Sequence, residues 1–143
     1  MTSGAESTWP RVVPMLTYED VGKASDWLCR AFGFTERQRF SRADGRVTNT
    51  ILEVPGGGVI MPGWTGADYQ SPSHHRQVCS AARRWHEVPY IVDGVLVTVE
   101  DVDGHCVRAR AAGALVLTEP EDSGHGRAYR VEDLEGHRWM FSE

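Results

Sequence analysis

The sequence predicts an α+β fold of two β-α-β-β-β modules whose sheets curl around a shared cleft. Three observations carry this reading. A segment that opens with strand-like alternation and then switches to helical spacing occurs twice, and each occurrence is followed by three further strand-like stretches. The two strand-to-helix junctions read Thr17-Tyr18-Glu19-Asp20-Val21 and Thr98-Val99-Glu100-Asp101-Val102, four identities in five at a spacing of 81 residues. A match placed at the same structural punctuation marks an internal repeat.

Taken in order, small and branched apolar residues alternate up to Tyr18, as in a strand. Ala24, Trp27, Leu28, Ala31 and Phe32 then recur at i, i+3, i+4, i+7 and i+8, one stripe of a helix, with Asp20 as N-cap and Gly33 as stop. Strands follow at about residues 35–42, 46–54 and 59–61, parted by Ala43-Asp44-Gly45 and by Pro55-Gly56-Gly57-Gly58. In the second module Val102, Cys106, Ala109 and Ala112 or Gly113 form the helical stripe, bounded by Asp101 and Gly113. Its three strands lie near residues 115–119, 127–132 and 138–141, broken by Asp122-Ser123-Gly124 and by Glu135-Gly136. Module one is thus residues 12–62, a linker runs over 63–90, and module two is residues 91–142, within a single domain spanning 1–143.

A chain of 143 residues suits one domain, which buries roughly two-thirds of its unfolded surface. The formal charge of -5, a single lysine and scattered arginines argue against nucleic acid as a partner. No apolar run approaches the ~20 residues of a membrane span, and MTSGAESTWP lacks a secretory pattern, so no membrane partner and a cytoplasmic location are expected. Cys29, Cys79 and Cys106 are odd in number and widely spaced, which reads as free thiols. The linker is long for a loop and carries Trp64, Tyr69, His74, His75, Trp85 and Tyr90, too many rings for a solvated tether. A helix from about His75 to Trp85 is expected in it, folded over the cleft, across a dimer partner or against its own modules.

The opening YEDVGKASDWLCRAFGF, its counterpart VEDVDGHCVRARAAGA and the close GRAYRVEDLEGHRWMF resemble the glyoxalase / bleomycin-resistance / extradiol-dioxygenase (vicinal oxygen chelate) superfamily, in particular its uncharacterised glyoxalase-like members. The resemblance covers about residues 12–141. It implies where a divalent ion would be gripped by His and Glu: about seven residues before each helix-opening Asp, at Val13 and Gly94, and on the closing strands at Met61 and Met140. None of the four offers an imidazole or carboxylate, and a thioether is too soft for Mg, Mn or Fe(II). No metal and no cofactor are therefore expected. Of the histidines, His74 and His75 are adjacent and would diverge, His137 is expected to bond its own turn, and His105 to lie on the surface.

With those positions set in the cleft, alternation places Val13, Met15, Thr17, Met61, Leu96, Thr98, Arg130, Arg138 and Met140 on its walls, with Ala128 and Glu132 beside them, while Tyr129, Trp139 and Phe141 turn to the helices. Trp64 at the start of the linker completes the candidate ligand-binding set. Methionine makes an adaptable apolar floor, and Arg130 and Arg138 suit an anionic or carbonyl-bearing ligand, or else pair with Glu132 at the rim. No Gly-x-Ser-x-Gly nucleophile motif occurs, and catalytic residues are not identified. The leading function is metal-independent binding of a small organic molecule. A lyase, isomerase or dioxygenase with a non-standard site is the alternative, and a scaffold whose dimer surface is its function is a third. The resemblance implies a homodimer, with the modules closing within one chain or between two.

Overall fold

The computed structural model describes residues 9–124 and 126–143. Module one contributes β1 (Met15–Thr17), α1 (Val21–Phe32), β2 (Thr35–Ser41), β3 (Val47–Glu53) and β4 (Val59–Gly63). The linker forms α2 (Pro72–Val78) and α3 (Ser80–His86), and module two forms β5 (Gly94–Thr98), α4 (Val102–Ala111), β6 (Leu115–Ser123), β7 (Gly126–Glu132) and β8 (Arg138–Ser142). Two four-stranded sheets result, ordered β1-β4-β3-β2 and β5-β8-β7-β6. The first strand of each module runs parallel to the last, Met15 opposite Met61 and Leu96 opposite Met140, and the other pairs are antiparallel.

The local chemistry explains the helices. Asp20 accepts from the Lys23 amide and Asp101 from the Gly104 amide, each satisfying an otherwise orphaned donor of the first turn. At the far end of α1, Gly33 sits at φ 82° and donates to Cys29 O, a left-handed cap that a Cβ would strain. The predicted stripe of Ala24, Trp27, Leu28, Ala31 and Phe32 is buried along its whole length. In α4 only Val102, Cys106 and Ala109 are buried, so small residues let it lie close to its neighbours.

Strand pleating divides each sheet into a helix face and a free face. Leu52 and Ile60 of the first sheet and Val97, Tyr129, Val131, Trp139 and Phe141 of the second join the residues of α1 and α4 in one cluster. Phe32 stands edge-on to both Trp139 and Phe141, so α1 touches the second sheet as well as its own. The helices therefore lie between the sheets, and the free faces look away from the shared core. Ser25 and Thr50, both fully buried, satisfy each other across the helix–sheet contact at 2.6 Å.

The linker departs from the expected single helix. Ser71 caps α2 with Pro72 in its first turn, and an extended Cys79 breaks the segment into two short helices. Strand β6 also runs on to Ser123, four residues past its expected end, through two register shifts against β7. No helix among the described residues is long and apolar enough to cross a membrane.

Candidate functional site

On the free face of the first sheet lie Met15, Thr17 and Met61, because Leu16, Ile60 and Pro62 take the helix side. Val13 precedes β1 and is half-buried. On the second sheet Leu96 and Thr98 of β5, Met140 and Arg138 of β8 and Arg130 of β7 share the free face, with Arg130 opposite Met140 and Glu132 opposite Arg138. Met15 is 77% exposed and Leu96 64%, on strands β1 and β5 that each form the outer edge of a sheet. Trp64 falls on the other side: it packs against the core, with the guanidinium groups of Arg42 and Arg46 at 5.4 and 4.6 Å from its ring centre.

The two arginines have different surroundings. Arg138, 4% exposed, reaches Glu132 through Nε at 3.2 Å, and its other nitrogens donate to Val88 O at 2.6 Å and His86 O at 2.5 Å. Arg76 of α2 closes on the same carboxylate with two bonds of 2.9 and 2.8 Å. This triad, buried except for the half-buried Arg76, fastens the linker over the second sheet, at the end of the free face marked by Glu132 and Arg138. The Arg130 guanidinium, by contrast, has no ion pair or hydrogen bond among the described residues. Its backbone amide alone is engaged, by Thr118 Oγ1 at 3.0 Å.

The positions implied for a metal present Val13, Met61, Gly94 and Met140, with no oxygen or nitrogen side-chain donor among them. These residues do not fit a hard divalent ion. The one grouping of three metal-type side chains among the described residues is Asp101, Asp103 and Glu143, exposed at the start of α4. There Asp103 is held by Arg127, and Glu143 accepts from the Val102 amide, so the cluster already has structural work.

Two histidines join the modules. His105 is half-buried rather than on the surface: its Nε2–H donates to Phe32 O at 3.1 Å and its Nδ1 accepts from Tyr129 Oη at 2.6 Å, a tautomer set by the carbonyl, which only accepts. Burial holds its pKa below the ordinary value. The His137 ring does not bond its own turn as expected: only the backbone amide meets Asp133 there, while the ring Nε2 crosses to Thr17 O at 2.7 Å. Both contacts bridge residues far apart in the chain, which local periodicity does not reveal. All three cysteines are free, and burial raises the Cys29 and Cys106 thiols, so neither is primed as a nucleophile.

A groove of about 1020 Å³ opens where the β3–β4 turn faces β5 and the start of α4. Leu96 and Thr98 line it, along with Val12, Phe34 and His105. A smaller cavity of about 300 Å³ lies beneath the linker, and Arg138 reaches it.

The family model described as Glyoxalase/Bleomycin resistance protein/Dioxygenase superfamily matches residues 11–141. TioX from Micromonospora sp. ML1 is similar in structure, with a TM-score of 0.67 and 34% identity, covering 94% of this chain and 98% of that one. An uncharacterised protein of Mycobacterium tuberculosis strain H37Rv is 29% identical over 139 residues, 94% of this chain and 74% of that one. TnmS3, an antibiotic binding protein from Streptomyces sp. CB03234, has a TM-score of 0.60 at 19% identity and covers 91% of each chain, a likeness of fold alone.

Proposed function

The chain belongs to the Glyoxalase/Bleomycin resistance protein/Dioxygenase superfamily, and we propose that it binds a small organic molecule on the apolar free faces of its sheets without the metal of its catalytic relatives. The observation that carries this is the replacement of every implied ligand by Val13, Met61, Gly94 or Met140. Thioethers at Met15, Met61 and Met140 supply a polarisable floor that adapts to the shape of its guest. Arg130, opposite Met140 and free of partners among the described residues, is the group that orients an anionic or carbonyl oxygen. Arg138 serves the linker instead. That TnmS3 is named an antibiotic binding protein supports antibiotics as one class of guest for this architecture.

Exposed Met15 and Leu96 lie on edge strands, and a second copy of the chain covering them would turn two open faces into an enclosed cleft. A homodimer is therefore part of the proposal.

The test is elemental analysis of the purified protein before and after chelation, joined to a binding screen of hydrophobic antibiotics and 2-oxoacids. Sub-stoichiometric metal, with binding that survives chelation, is the expected result. A stoichiometric divalent ion whose removal abolishes binding or turnover would establish the enzyme reading in its place. Light scattering across a dilution series reads the oligomeric state, and a monomer that binds its ligand unchanged would sink the dimeric cleft.

A further inference from the structure

Beneath the linker, the cavity of about 300 Å³ is bounded by Tyr69, His75, Trp85, His86, Asp93 and Arg138. Of these only Arg138 belongs to the free-face set, and its guanidinium is already spent on Glu132 and two linker carbonyls. The cavity is thus a separate compartment with its own chemistry.

His86 defines that chemistry. Its carbonyl is gripped by Arg138 and its ring Nδ1 lies 2.6 Å from Ala82 O, so both backbone and imidazole are fixed. A carbonyl only accepts, so Nδ1 carries a proton, and in the uncharged tautomer that this bond selects Nε2 presents a lone pair. That Nε2 is buried and has no hydrogen-bond partner. The great majority of buried polar atoms in proteins are satisfied, and an orphan on a side chain that lines a cavity points to an occupant that donates to it.

The remaining walls narrow the class of occupant. Asp93 lines the cavity, is exposed, and carries no ion pair among the described residues. Tyr69 and Trp85 present aromatic surface. The Tyr69 phenol is pushed up to about 12, first by burial and then by Glu135, Glu19 and Asp133, which marks the local field as negative. Ring faces, a lone pair and uncompensated carboxylate charge all favour a flat, positively charged donor.

We propose that this compartment is a second binding site, distinct from the sheet faces, for a planar aromatic amine or amidine whose N–H groups reach His86 Nε2 and Asp93. It is independent of the ligand assigned to the free faces, and either site can fail without the other.

The probe is 2-aminobenzimidazole, a flat bicycle rich in N–H donors, titrated into the full-length protein and followed by ¹H–¹⁵N spectra of the Trp85 indole and His86 ring. Benzoxazole, of similar outline without N–H groups, is the control. Saturable shifts with a Kd on the order of 1 mM are expected for the amine, with the control about tenfold weaker or worse. His86→Phe keeps a ring but removes the lone pair, and Asp93→Asn removes the charge at an exposed position. Each should weaken the amine by about tenfold while the thermal transition shows that the variant is folded. Equal affinity for the two probes overturns the proposal, as does an absence of saturation at about 10 mM. Shifts confined to Met61, Arg130 and Met140, or undiminished binding in the folded Asp93→Asn variant, overturn it equally.

Discussion

Tyr18 Oη donates a 2.6 Å hydrogen bond to Asp133 Oδ2, joining the β1–α1 junction of the first module to the β7–β8 turn of the second. Both residues are buried, and Trp139 Nε1 donates to the same oxygen at 3.0 Å. Glu135, two residues further on, accepts from the Glu19 and Asp20 amides and so caps α1 from the other module. The helix of one half is therefore terminated by a carboxylate of the other. Tyr18→Phe removes one donor from a buried carboxylate and should cost about 1–3 kcal/mol in urea unfolding. An unchanged midpoint would show that this bridge contributes nothing to holding the modules together.

The linker clamp makes a second prediction. Arg138→Met leaves Glu132, 1% exposed, with Arg76 as its only charged partner, and breaking such a buried pair should destabilise by about 3–5 kcal/mol. Protease cleavage around residues 79–92 should rise in parallel, because the carbonyls of His86 and Val88 lose their donor. Replacing both partners, Arg138→Met with Glu132→Leu, should restore much of the lost stability.

For ligand binding, Arg130→Ala should weaken an anionic guest of the free faces about ten- to a hundredfold, the worth of a charge-assisted hydrogen bond. Melting should stay within about 0.5 kcal/mol of the parent, since the guanidinium supports nothing else among the described residues. Isothermal titration checks the first figure and calorimetry the second.

His105 gives a pH dependence of definite sign. Burial lowers its folded pKa below the ~6.5 of an unfolded chain, so the unfolded state binds the proton first. Stability is then present in full above about pH 6.5 and is lost as pH falls below it, with a slope of at most about 1.4 kcal/mol per pH unit. The stability difference between pH 7.5 and 5.5 should shrink in His105→Gln; a difference as large as the parent's would assign the effect to another group.

How far the sequence could be read follows from which forces are local. The stripe of α1, the caps Asp20 and Asp101 and the pleating of β7 and β8 were legible because periodicity and capping act within a few residues. Ser71-Pro72 is a helix-start signal that the expectation of a single helix from about His75 did not use. Half of the clamp was legible, since pairing with Glu132 was the alternative expected for Arg138; the other half was not, because Arg76 meets Glu132 across 56 positions and nothing near either residue in the chain announces the other. Trp64 was misleading for a similar reason, since a ring beside a glycine-rich bend looks available until Arg42 and Arg46 are seen lying across it. Nor does any pattern mark His86, whose unsatisfied nitrogen exists only once α3 has been laid against β8.

The position of the linker has a consequence for the duplication itself. Copying one unit into two yields matched surfaces, on which equivalent substitutions have like effects while their surroundings stay alike. Arg76 and Arg138 bind the linker to the second sheet, whereas the first half meets it at Glu19 through the Ser71 amide, and this difference ends that equivalence, so a substitution beside Met140 is felt by a neighbourhood unlike the one beside Met61. Divergence of the halves therefore needs no remodelling of the duplicated units, because the stretch of chain between them has already made their circumstances unequal.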